Sequence, residues 1–336
     1  MSKHRPEGSN WGDFGTDDQV GRINLLDPDS VRRGLAEARE GIVFSLSLPL
    51  DLPGGETFSP GRKPPRFRPT DRRGEPFFCY PMSREKPGAP DVVNDDEATL
   101  TLQYSTHWDA LCHIGYCGRR WGAAEPDEVY FYNGFRAGAD IGAPDAAGNS
   151  GVRALGIEAM AERGVQGRGV LLDLAAHYGE ACQPVGYDAL MRIAEADRLV
   201  VEPGDILLVH TGMGRMIVDM KGKPDAARLR SSFAALDGRD ARLLQWITDT
   251  GLAAIAADNH AVEFVPARAV DEADAPVFPL HEHCLFKLGI HLGEFWYLSG
   301  LADWLRRHGR NRFLLTAPPL RLPGAVGAPV NPIATV

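Results

Sequence analysis

Gly169-Val170-Leu171-Leu172-Asp173-Leu174 and Asp205-Ile206-Leu207-Leu208-Val209-His210 are the runs whose reading decides the fold. Both are short aliphatic stretches that end on polar residues, and neither alternates apolar with polar side chains. Each therefore reads as a strand buried on both faces. Leu252-Ala253-Ala254-Ile255-Ala256-Ala257-Asp258 is a third run of the same kind. Helical stretches lie between them, clearest over Tyr187–Ala196 and Asp240–Thr250. Strand and helix alternating over about 200 residues predicts an α/β fold with at least partly parallel pairing.

Upstream of these runs the texture differs. The N-terminal part is rich in Pro, Gly and charge, with one helix predicted through Val31–Arg39, Ser30 capping its first turn and Gly41 closing its end. Residues 51–98 carry many prolines and turn formers, and are expected to form an irregular excursion over the surface, or a lid, within a single domain spanning 1–336. There is no internal repeat and no low-complexity tract.

The 336 residues, 44% hydrophobic and 24% charged, have ordinary globular composition and ample length to bury a core. A formal net charge of −9 argues against a nucleic-acid partner, which clustered Lys and Arg would bind. The one basic stretch, Gly61-Arg62-Lys63-Pro64-Pro65-Arg66-Phe67-Arg68-Pro69, is Pro-rich and reads as a loop. No apolar run approaches the roughly 20 residues that span a bilayer. The residues from Met1 to Glu7 also lack the apolar core of a secretory signal. A soluble, cytoplasmic protein with no membrane partner is expected. The five cysteines are scattered and form no Cys-x-x-Cys pair, so they suggest neither a disulfide framework nor a zinc finger.

Chemistry concentrates in Thr99-Leu100-Thr101-Leu102-Gln103-Tyr104-Ser105-Thr106-His107-Trp108-Asp109, followed by Ala110-Leu111-Cys112-His113. Alternation with period two predicts a strand with Gln103, Ser105, His107 and Asp109 on one face and Leu100, Leu102, Tyr104 and Trp108 on the other. Residues two apart on a strand stand roughly 7 Å apart at the Cα level, so an imidazole and a carboxylate can converge on one ion. A turn after the strand could bring His113 over the same place. Mixed nitrogen and oxygen donors suit Zn²⁺ or Mn²⁺. On spacing alone, His107 and Asp109 could equally be a hydrogen-bonded polar pair at a sheet edge.

The same residues carry a resemblance. Ser105-Thr106-His107-Trp108-Asp109-Ala110-Leu111-Cys112-His113 resembles the motif His-x-Gly-Thr-His-x-Asp-x-Pro-x-His of the metal-dependent cyclase or kynurenine formamidase-like superfamily, which includes arylformamidases and isatin hydrolases. Thr106, His107, Asp109 and His113 match it; Gln103, Ser105 and Leu111 stand where the motif has His, Gly and Pro. Asn10-Trp11-Gly12 with Asp17–Leu26, Gly204–Gly212, and the segment from His281 to Glu294 are similar to further elements of the longer-chain branch. The resemblance implies a swivelling β/β/α-type fold, with a central mixed, barrel-like sheet flanked by helices. It implies His107 and Asp109 as ligands of one divalent metal ion, His113 as ligand or base, and Gln103 as a weak oxygen ligand or substrate contact. His281 and Glu294 look like the residues that hold a second metal in dinuclear members. With the first motif His replaced by Gln103, a mononuclear site is expected, with His113, Glu294 and His281 in the catalytic roles.

The activity so implied is hydrolysis of an amide, lactam or formamide bond in a small aromatic molecule, in a homodimer or homotetramer. Alternatives are a lactone hydrolase or secondary-metabolism cyclase using the same metal, and a small-molecule-binding protein without turnover. Asp258-Asn259-His260-Ala261-Val262-Glu263 follows a buried run, where α/β sheets present active-site groups, although an Asx-capped turn reads equally well. His210 and His283 are expected to be packing residues, and His4, His177 and His308 to have no chemical role. Cys112 has no evident base partner. Phe77, Phe78, Tyr80, Phe131, Tyr132 and Phe135 could line an aromatic pocket or simply pack.

Overall fold

The computed structural model describes residues 5–146, 148 and 150–336. Its centre is a nine-stranded mixed sheet, curled into a half-barrel and flanked by helices. In chain order the strands are β1 (Val43–Ser45), β2 (His107–Asp109), β3 (Gln166–Asp173), β4 (Ile206–His210), β5 (Ala254–Ala257), β6 (His291–Glu294), β7 (Arg312–Thr316), β8 (Gly327–Pro329) and β9 (Ile333–Thr335). Across the sheet they lie in the order β1-β9-β7-β3-β4-β5-β6-β2-β8.

The three aliphatic runs became β3, β4 and β5, which pair in parallel, and β6 joins them in parallel. All residues of β4, β5 and β6 are buried, as a parallel sheet covered on both faces requires. On either side of this core the pairing turns antiparallel: β7 and β9 on one flank, β2 and β8 on the other.

Helices return the chain between strands. The two foreseen from sequence are Tyr187–Ala196 and Ala241–Thr250. In the second, Asp240 accepts from the amides of Arg242 and Leu243, Leu243 and Ile247 turn inward at i and i+4, and Gly251 ends it at φ 66°. The first helix differs from expectation. It spans Pro28–Leu35 rather than Val31–Arg39, because the cap is Asp27, whose carboxylate accepts from the Ser30 amide. The Ser30 hydroxyl is buried and donates instead to the Gly204 carbonyl, tying the helix to the loop before β4.

Residues 51–98 are more ordered than an irregular excursion. Arg66–Pro69 pairs with Asp96–Thr99, Asp71–Arg72 with Glu75–Pro76, and Tyr80–Pro81 with Val92–Val93, none of them joined to the central sheet. Among the described residues, no helix is long and apolar enough to cross a membrane.

The strand read over 99–109 is also shorter than expected. Thr99 ends the Asp96–Thr99 strand of the excursion, and after it only His107–Asp109 is strand; the Tyr104 amide closes a turn on the Thr101 carbonyl. Side chains of this stretch are tied instead to backbone far away in the sequence: the Ser105 hydroxyl donates to Pro49 O, and the Tyr104 hydroxyl accepts from the Gly54 amide.

Candidate metal centre

Strand β2 lies between β6 and β8, with His107 opposite Glu294 and Pro329, and Asp109 opposite Gly327. Directly opposed residues share a face. His107, Asp109 and Glu294 therefore meet on one side of the sheet, while Trp108 packs edge-on against Trp296 on the other at 5.0 Å. Gly293, beside Glu294, has no room for a side chain: a Cβ there would stand 2.8 Å from both Ala256 Cβ and Trp296 Nε1. Thr106 anchors the strand, its hydroxyl donating to Phe295 O and accepting from the Leu48 amide.

The ring of His107 is fixed by Nδ1–H donating to Ser105 O at 2.7 Å, which leaves Nε2 as the free lone pair. That atom lies 3.4 Å from Asp109 Oδ1 and 3.9 Å from Glu294 Oε2. One donor atom from each of the three residues lies within 4.8 Å of the others, and all three residues are buried. Among the described residues, His107 Nε2, both Asp109 oxygens and Glu294 Oε2 have no hydrogen-bond partner. Buried carboxylate oxygens left unpaired cost several kcal/mol. A divalent cation removes that cost, and one imidazole with two carboxylates is a donor set that Zn²⁺ or Mn²⁺ accepts. The residues fit the ion that the sequence implied.

A second layer holds these groups. His291 donates through Nδ1–H to Asp109 O at 2.8 Å, and burial pushes its pKa down to about 4. Glu263 accepts from the amides of Leu280 and His281 and from His281 Nδ1–H at 2.7 Å, which aims His281 Nε2 at Glu294 Oε1, 3.6 Å away. Burial disfavours the His281 cation, but Glu263 and Glu294 outweigh it and push its pKa up to about 10. Burial would raise the Glu294 carboxyl, yet His281, His260 and His107 hold it well below the usual range. For Asp109 burial again opposes ionisation, and His113 with His107 keeps the pKa low. His107 is raised, Asp109 and Glu294 together outweighing burial.

His113 sits with Nε2 3.8 Å from Asp109 Oδ1, its side chain 24% exposed, and burial lowers its pKa. Gln103 is buried, its side chain beside Gly327 and its backbone carbonyl accepting from Arg62. Neither His113 nor Gln103 belongs to the convergent group of three.

The segment after β5 divides its work. Asp258 closes no local Asx turn; its carboxylate accepts from the amides of Thr211, Gly212 and Gly214 and from the Thr211 hydroxyl, tying the end of β5 to the loop after β4. Ala261 and Val262 then take left-handed φ values of 70° and 59°. Such backbone costs about 1–3 kcal/mol for a non-glycine residue, and here it separates His260 from Glu263. His260 stacks on Phe58 at 5.1 Å and 12° and lies 5.8 Å from the Phe295 ring. Burial lowers its pKa. A cavity of about 200 Å³ beside these groups is lined by Phe58, Arg230, Phe233, His260, Glu263 and Phe264 among others.

The aromatic residues named from sequence do not form that wall. Phe77 packs on Tyr80 at 5.2 Å within the excursion, Phe78 is exposed and Tyr132 is fully buried. Phe58, a single ring in a Pro- and Gly-rich stretch, carried no periodic signal. His283 bonds to Thr248 and His308 to Trp304, His177 pairs with Asp197, and His4 lies outside the described residues. Burial pushes the Cys112 thiol up to about 12, so it is no nucleophile.

A sequence model of the family described as "Putative cyclase" matches residues 44–264. No curated protein matches the chain. A crystal structure described as a novel cyclase is 31% identical, covering 98% of this chain and 97% of its own, with a TM-score of 0.75. Isatin hydrolase A from Ralstonia solanacearum is 14% identical, over 87% and 91% of the two chains, with a TM-score of 0.54. Isatin hydrolase A from Labrenzia aggregata, solved bound to benzyl benzoate, is 13% identical over 88% and 93%, with a TM-score of 0.53. The last two share the fold. The chain belongs to the cyclase family.

Proposed function

We propose that this cyclase-family protein is a metal-dependent hydrolase that opens an amide, lactam or formamide bond in a small aromatic molecule, with one Zn²⁺ or Mn²⁺ held by His107, Asp109 and Glu294. The observation that carries the reading is the convergence of buried donor atoms with no partner. Such an ion, when bound, polarises a scissile carbonyl and lowers the pKa of water toward about 7.

The chain's own groups supply the rest. His113 is the most exposed of the histidines and acids around Asp109, and with its pKa lowered by burial it is neutral at pH 7. It takes the proton of the attacking water and returns it to the leaving nitrogen. His281, clamped by Glu263, fixes the Glu294 carboxylate and keeps it ionised. His260 and Phe58 offer a flat stacked surface beside the cavity, which suits an aromatic substrate.

Elemental analysis of the purified protein tests the metal, and turnover of a panel of lactams, formamides and aryl amides tests the reaction. About one divalent ion per chain and product from a cyclic or linear amide are expected. Two ions per chain would bring in His281 as a ligand. Protein without metal, or metal-loaded protein that yields no product from any amide, would sink the reading.

A further inference from the structure

The Pro-rich excursion lies against the metal centre through Phe58 and Arg62, and so brings a cation there. Its first part is pinned: the Gly54 amide donates to the Tyr104 hydroxyl, Thr57 bonds back to Gly54 O, and Arg230 donates to Thr57 O. Phe58 follows, seated on His260 and 5.1 Å from Phe295. Arg62 comes next, with one guanidinium nitrogen donating to Gln103 O at 3.0 Å.

That single bond uses one of five N–H donors. Among the described residues no carboxylate lies within 4.0 Å of Arg62. The nearby Glu56 is instead committed to the Gly61 amide and to Lys63, 3.7 Å away. Half-buried guanidinium groups are ordinarily matched by an anion, and a fork of parallel N–H donors suits a carboxylate in particular. The charge also reaches the centre: beyond burial, Arg62 disfavours the protonated rings of His107, His113 and His260 alike.

We propose that Arg62 is a specificity residue which binds a carboxylate carried by the substrate, so that the molecule hydrolysed is an anionic aromatic amide. Its ring lies on the Phe58–His260 stack and its carboxylate on Arg62, with the scissile carbonyl at His107, Asp109 and Glu294. This rests on the hydrolase reading above.

Binding of benzoate and of benzamide to the full chain, by calorimetry, tests it: first on the protein as purified, then after chelation to remove any contact with metal. In both states benzoate should bind about tenfold or more tighter than benzamide. Arg62→Gln should abolish that preference with metal content unchanged, and Arg62→Lys should restore part of it. With substrate, Arg62→Gln should raise KM for carboxylated amides and leave neutral amides unaffected. Equal binding of the two probes by wild type after chelation overturns the proposal, as does a preference that survives in chelated Arg62→Gln. If the preference depends on Arg62 but no amide is turned over, Arg62 stands and the hydrolase reading falls. Turnover confined to neutral amides does the reverse.

Discussion

Two buried histidine–carboxylate clusters stand at the ends of adjacent strands of one sheet, and they differ in whether their polar atoms have partners. In the first, at β2 and β6, His107 Nε2, both Asp109 oxygens and Glu294 Oε2 converge without a hydrogen-bond partner among the described residues. In the second, at the ends of β3, β4 and β5, His210 bonds to Asp173 at 2.8 Å and to the Ser299 hydroxyl at 3.2 Å. Asp173 also takes Arg306, and Asp258 receives four donors. Composition and burial are alike. The second cluster even borders the larger cavity, about 570 Å³ against about 200 Å³ beside the first. Volume alone would have pointed to the second. Unsatisfied donors mark a place built for a missing charge, whereas a closed network holds loops together.

The sharpest way to break this contrast is to neutralise one carboxylate in each. In Asp109→Asn, bound metal and turnover should fall together, turnover by about 10³-fold or more. The chelated variant should melt no lower than chelated wild type, since the carboxylate removed was buried without a partner. In Asp258→Asn the amide nitrogen must face a backbone N–H, at a cost of about 2–4 kcal/mol, while metal per chain stays unchanged. Thermal melts with elemental analysis read both. Loss of metal in Asp258→Asn would erase the distinction.

Chelation gives the next effect. An ion that binds only the folded state adds about 2.7 kcal/mol at a hundred times its Kd, so EDTA should lower the wild-type melting temperature and leave that of His107→Ala where it is. A shift of equal size in His107→Ala would place the ion elsewhere.

The smallest effect is in pH, at the closed cluster. Burial opposes the charge of both partners, yet Asp173 is lowered chiefly by His210 and then Arg306, and His210 is raised chiefly by Asp173. The Asp173 contribution is present above the ordinary Asp value of about 3.9 and fades as pH falls through its lower folded pKa. The His210 contribution is present below about 6.5 and fades as pH rises through its higher folded pKa. The stability difference between wild type and His210→Gln should therefore be widest between about pH 4 and 6.5 and shrink toward pH 9. A difference that grows with pH would show that the pair is not ionic.

Much of this was legible from residue patterns. The parallel core announced itself because strands buried on both faces have no polar alternation, and the helix read over Asp240–Thr250 spans Ala241–Thr250. His107 and Asp109 could be paired because strand spacing is fixed. Glu294 could not be placed beside them from spacing, since only the register of β6 on β2 brings it there. Alternation over-extended β2 because side-chain bonds of Ser105 and Tyr104 to distant backbone are invisible to a periodicity argument. Phe58 and Arg62 were hidden for a related reason: their meaning comes from where a Pro-rich loop is laid down.

The position of β2 also bears on how the protein is made. It is an early segment whose two neighbours, β6 and β8, come from the last part of the chain. The bond from His291 to the Asp109 carbonyl spans 182 residues. Contacts so distant in sequence close late, after the loop entropy between them has been met. On a ribosome, His107 and Asp109 emerge and wait unpaired while the parallel core forms behind them. The three donors can converge only once β6 has been made, and a chain that stops short of residue 294 lacks one of them.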